Sequence, residues 1–201
     1  SVKYTMGQMT RMEERLSEEE KEENLARVIR ENFVLYKDPD GLFSLAIPKN
    51  WHVQRDEYWS DDRSTFLRET VIAPEEAKLA QVGGYVSEGL RIAFRFPPRG
   101  RVWTREVIKQ WENSVAKNLL EDNPGFALTD SGSMKFGGTM TQFYTFVGQD
   151  RRLPEPEKTV MFVAARSEAL ITIEVVAPTS KLDMLDAMKI ISAATFEWSS
   201  R

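Results

Sequence analysis

The stretch from residue 90 to 96 constrains the fold of this chain most strongly. Leu90, Ile92, Phe94 and Phe96 alternate with Arg91, Ala93 and Arg95. A period of two puts the first set on one face of a β-strand and the second set on the other. Pro97-Pro98 then ends the strand, because proline offers no N–H to a ladder. Thr104 follows at a helix N-cap position. Val107, Ile108, Trp111, Val115 and Leu119 cover an arc of about 120° at the helical period, with Arg105, Glu106, Lys109, Gln110, Asn113 and Lys117 opposite. Asn123-Pro124-Gly125 stops that helix.

The elements on either side follow from the same reasoning. Residues 1 to 16 carry scattered methionines without a face and read as loosely ordered. Ser17 and Glu20 have capping-box spacing, and Leu25, Val28, Ile29 and Phe33 lie on one helical face, so only the second half of that helix is expected to dock. Asp38-Pro39-Asp40-Gly41 is a turn between strands 33–37 and 42–47. Further strands are expected near 52–55 and 66–73, and residues 74–89 read as an irregular excursion. After the long helix come strands at 133–136, 139–147, 159–165 and 170–176. Gly137-Gly138 and residues 166–169 supply hairpin-length connections. Pro178-Thr179-Ser180 opens a last helix with Met184, Leu185, Met188 and Ile191 on one face. Tight connections favour antiparallel pairing. The expected fold class is therefore α+β, an α/β/α sandwich with a central, mainly antiparallel sheet flanked by helices. Residues 1–32 form a charged helical arm and 33–201 the domain.

Composition narrows the function classes. The net charge of −4 and pI of about 5.3 argue against a protein that grips nucleic-acid phosphates. With no cysteine, disulfides, thiol nucleophiles and thiolate metal sites are excluded. No apolar run reaches the roughly 20 residues needed to span a bilayer. No signal peptide is visible. The chain begins at Ser1, which reads as a trimmed or mature form and makes an extracytoplasmic location the expectation.

The run Tyr36-Lys37-Asp38-Pro39-Asp40-Gly41-Leu42-Phe43-Ser44 through Ile47-Pro48-Lys49-Asn50-Trp51 resembles the opening of PsbP-like proteins. Their sequences pair a D-P-x-G-x-F-S turn and strand with P-x-x-W. Ala177-Pro178 and the helix running into Ile190-Ile191-Ser192-Ala193-Ala194-Thr195-Phe196 are similar to that family's close. The resemblance extends over residues 33 to 198 and implies the sandwich just described. That fold is shared by PsbP of the oxygen-evolving complex, by the Mog-type import factor that binds Ran, and by exported and chaperone-like bacterial proteins. It implies a binding or assembly role rather than catalysis. The expected partner is a protein or small anionic ligand, and no cofactor is expected. The match covers framework positions, so no functional residue carries over. The family's metal sites involve histidine, and this chain has only His52. The alternatives are an enzyme of unknown class, such as an acid-residue hydrolase, and an intracellular chaperone or transport-factor-like domain.

Candidate sites are few. His52 lacks a framing nucleophile and acid, although Ser60 and Ser64 are near in sequence. It reads as a partly buried strand residue. Asp56, Glu57, Asp61 and Asp62 are acidic but lack calcium-loop spacing. Asp38 and Asp40 read as turn formers. Arg91, Arg95, Arg99, Arg101 and Arg105 are the unusual feature of an acidic chain. Arg95, Arg99 and Arg101 are the candidate surface for an anion or acidic partner, since guanidinium forks suit carboxylates and phosphates. Among Trp51, Tyr58, Trp59, Phe66, Trp103 and Trp111, the last reads as core. Trp59 is the candidate exposed aromatic, read as a loop residue.

Overall fold

The computed structural model describes residues 17–76, 86–149 and 154–199. Helix α1 spans Glu18–Asn32 and runs straight into β1 (Phe33–Lys37) and β2 (Phe43–Pro48). Strands β3 (His52–Trp59), β4 (Phe66–Ala73) and β5 (Gly89–Phe96) precede α2 (Arg105–Asp122). Then come β6 (Phe126–Phe136), β7 (Thr139–Gly148), β8 (Glu157–Ala165) and β9 (Leu170–Pro178). A 3₁₀ turn at Thr179–Lys181, helix α3 (Leu182–Thr195) and the short β10 (Glu197–Trp198) complete the order.

The strands form two antiparallel sheets, not one. The large sheet has seven strands in the order β3-β4-β5-β9-β8-β7-β6, and the small one is β1-β2-β10. β5 therefore lies inside the large sheet and pairs with β4 and β9. Gly89 at its start has φ +129, and a Cβ there would meet the Ile72 carbonyl oxygen at 2.1 Å, so only glycine fits this approach. The hairpin at Gly137-Gly138 has positive φ at both residues, 59 and 79, as the twist of tight hairpins requires.

Alternation along β8 divides the core. Val160 and Phe162 belong to the larger apolar cluster, and Met161 and Val163 to a smaller one. The larger cluster takes Ile72, Leu90, Ile92, Phe94, Ile171 and Ile173 from the large sheet. It meets Leu185 and Met188 of α3 and Phe43, Leu45 and Ile47 of β2. That face is thus covered by a helix and a second sheet. The smaller cluster joins Val115, Trp111 and Leu119 of α2 to Phe146, Met161 and Val163.

The Asp38–Gly41 turn does more than reverse the chain. Asp38 accepts from the Leu42 N–H at 3.0 Å and pairs with Arg55 at 3.2 Å. Asp40 pairs with Arg55 and with Arg68, the latter at 3.1 Å, and Arg68 also holds Glu57 at 2.8 Å. These pairs fasten the turn to β3 and β4. On α1, the Ser17 hydroxyl accepts from the Glu20 N–H at 3.2 Å. No α1 residue is buried, and only Leu25 and Ile29 are half-buried, so α1 docks less than its stripe suggests. The expectation for residues 1–16 lies outside the described residues, as does most of the one for 74–89.

Candidate binding cleft

One helix cannot cover the second face of the large sheet. Seven strands at about 4.8 Å spacing span roughly 30 Å, and a helix with its side chains is about 10–12 Å across. Because α2 packs on β7, β8 and the start of β6, no helix among the described residues covers the β3-β4-β5-β9 part of that face. A cleft of about 840 Å³ runs between α2 and the sheet there. Its floor is Arg91, Ala93 and Arg95 of β5, with Thr172 and Glu174 of β9 and Met161 of β8. Its helix wall is Val107, Trp111, Val115 and Leu119, one residue per turn along α2. Trp103 closes one end, held by a 3.0 Å hydrogen bond from its indole N–H to the Arg95 carbonyl oxygen.

The strand register explains the polar floor. Arg91 stands opposite Val71 on β4 and Glu174 on β9, and Ala93 opposite Glu69 and Thr172. Arg91 contacts Glu69 Oε1 at 2.5 Å and Glu174 Oε2 at 3.9 Å. The Tyr58 hydroxyl donates to the same Glu69 oxygen at 2.6 Å. Arg95 donates to the Thr172 hydroxyl at 3.1 Å. Among the described residues no carboxylate lies within ion-pair distance of it. Each of these groups is at least partly buried, with Glu69 and Thr172 the deepest at 3% exposure.

Burial and charge shift the titrations accordingly. Burial raises the Glu174 carboxyl above the usual carboxylate range, opposed by Arg91 and Arg95. Burial works against the charge on Arg91, but Glu174 and Glu69 outweigh it and lift its pKa. For Arg95, burial dominates and the pKa falls below that of a free arginine, because Glu174 does not compensate and Arg91 repels it. Burial, then the hydrogen bond to Glu69, pushes Tyr58 up to about 12.

The sequence candidates separate in space. Arg95 lines the cleft, whereas Arg99 and Arg101 are exposed on the loop before α2 and are not among its lining residues. Trp59 is 49% exposed. It is the last residue of β3, not a loop residue, and its ring packs on Phe66 at 5.2 Å. Alternation places Trp59 on the face opposite Tyr58 and the cleft. His52 opens β3 and is exposed, contrary to the half-buried position expected, because it stands at the first residue of an edge strand. Asp62 accepts from the hydroxyls of Ser60 and Ser64, both at 2.7 Å, and these bonds hold its carboxyl down at about 2. Glu57 is engaged by Arg68. The acidic stretch thus serves turn and sheet contacts.

Sequence reasoning missed Tyr58, Glu69, Thr172, Glu174 and Trp103 as members of one site. A signal existed in Glu174, a lone acid in the apolar run Ile171 to Val176. A buried charge in such a strand needs a counter-charge.

No family model matches the sequence, and neither does any curated protein. Solved structures do match. The solution structure of the cyanobacterial PsbP, CyanoP, from Synechocystis sp. superposes with a TM-score of 0.52 at 12% identity, over 84% of this chain and 93% of that one. LpqN of Mycobacterium tuberculosis, involved in cell envelope biogenesis, gives 0.45 at 12% identity, over 87% of this chain and 96% of that one. A Pseudomonas aeruginosa protein of unknown function gives 0.40 at 14% identity, over 79% and 92%. The fold is PsbP-like on the strength of CyanoP. The other two likenesses are too loose to argue from.

Proposed function

We propose that the chain is a non-enzymatic binding domain of α/β/α layering whose cleft under α2 receives an anionic group on Arg95. The observation that carries this reading is the contrast on the cleft floor. Arg91 is met by Glu69 and Glu174, whereas Arg95 has only the Thr172 hydroxyl as a side-chain partner among the described residues. A guanidinium in a water-poor site binds an anion more strongly than an exposed one does. Glu69 and Glu174 are both engaged with Arg91, which argues against their use as a hydrolase pair. Arg99 and Arg101, exposed near the cleft in sequence, would steer an anionic partner toward it, an effect that salt weakens. Residues 1–32 are proposed as an arm separate from this domain. An extracytoplasmic location belongs to the same proposal, supported by the PsbP-like resemblance and tested by cell fractionation.

Thermal-shift measurement with a panel of anionic compounds, on the wild type and on Arg95→Gln, tests the reading. At least one anion should stabilise the wild type and lose most of that effect in Arg95→Gln. Equal shifts in both proteins for every stabilising anion would remove Arg95 from the site.

A further inference from the structure

Resting on that reading, we infer that the ligand is an amphipathic monocarboxylate: one carboxylate on Arg95 and an elongated apolar body along α2.

The charge count sets the valence. Among the described residues at the cleft floor, Arg91 is already neutralised by Glu69 at 2.5 Å and flanked by Glu174 at 3.9 Å. Only Arg95 is left to receive an anion. A second negative charge on the ligand would face Glu174, which lines the same cleft. A phosphate dianion or a polycarboxylate would therefore bring like charges together in a low-dielectric site. A carboxylate brings a single charge, and its two oxygens match the guanidinium fork. The Thr172 hydroxyl, already 3.1 Å from Arg95 Nη1, is placed to donate to the same anion.

The helix wall sets the body. Val107, Trp111, Val115 and Leu119 line the cleft at successive turns, and Trp103 stands at the Arg95 end. Val107 is 38% exposed, more than an apolar helix residue over a sheet normally keeps. These side chains and Arg95 line one cleft, so an apolar chain anchored at Arg95 would lie beneath them. Each further methylene buried should tighten binding by roughly fourfold, so affinity should rise with chain length. At about 840 Å³, the cleft is within the range of small-molecule sites.

The probe is decanoate, followed by tryptophan fluorescence and by calorimetry. The controls are decanol, which has the tail without the charge, acetate, which has the charge without the tail, and citrate as a polyanion. Decanoate should saturate one site, with decanol and acetate each at least tenfold weaker. Arg95→Gln should weaken decanoate at least tenfold. Val107→Glu, at an exposed helix position, should also weaken it by placing a negative charge beside the tail, and it serves if Arg95→Gln does not fold. Decanol equal to decanoate, or no binding of decanoate at all, overturns the inference. Citrate binding tighter than decanoate through Arg95 overturns the monocarboxylate class while leaving an anion site in place. If no anion depends on Arg95, both readings fall.

Discussion

Arg91 and Arg95 project from the same face of β5, but the 2.5 Å contact to Glu69 belongs to Arg91 alone. Two residues of the same type, four positions apart on one strand face, therefore have different roles in stability. Replacing Arg91 with Met strands Glu69, which keeps only 4% of its side-chain exposure, and Glu174. Breaking a buried pair from one side costs about 3–5 kcal/mol. Urea unfolding should show a loss of that size for Arg91→Met. Arg95→Gln should stay within about 1 kcal/mol of the wild type, since it removes one neutral partner hydrogen bond and a cation that burial already disfavours.

Gly89 tests the sheet. With φ +129 and the Ile72 carbonyl oxygen 2.1 Å from any added Cβ, Gly89→Ala must push β4 and β5 apart. A loss above about 2 kcal/mol is expected in denaturant unfolding. Gly138→Ala, with positive φ but open space around it, should lose only about 1 kcal/mol.

Alkaline titration tests the Tyr58–Glu69 bond. The folded pKa of Tyr58, about 12, exceeds its ordinary value of 10.0. Its contribution to stability is therefore fully present below pH 10 and is lost as pH rises through about 12. Tyr58→Phe should flatten the fall of stability between those values. Some slope should persist, because burial also raises Tyr36. An unchanged slope would mean that Tyr58 is not the group responsible.

The turn clamp separates exposed from buried ion pairs. Asp40 keeps 41% of its side-chain exposure and Asp38 none. Asp40→Asn should cost less than about 1 kcal/mol. Asp38→Ala leaves the Leu42 N–H and Arg55 without their buried acceptor and should cost about 2–3 kcal/mol.

Local chemistry was legible where neighbours in sequence decide the outcome. The alternation at 90–96, the Thr104 cap, the Asp38–Gly41 turn and the Gly137-Gly138 hairpin all stand where the residues indicated. Strand lengths were read short at β3 and β6. The pattern breaks at Asp56-Glu57 and across Thr129 to Ser131, where edge strands carry polar residues on both faces. The small sheet was not legible, because β10 joins β2 from the far end of the chain. The site was legible only in its β5 half. Glu69 and Glu174 reach Arg91 through the strand order β4-β5-β9, and no local signal fixes that order. The same long-range pairing separates Arg95 from Arg99 and Arg101, which are its near neighbours in sequence.

The most direct measurement of the central claim is the arginine Nε–Hε spectrum of the wild type, recorded during titration with a binding anion. The account predicts that the Arg95 resonance shifts and its hydrogen exchange slows in a saturable, one-site fashion. Arg91, already held by Glu69, should move little. Shifts confined to the exposed Arg99 and Arg101, with Arg95 unmoved at saturation, would contradict it.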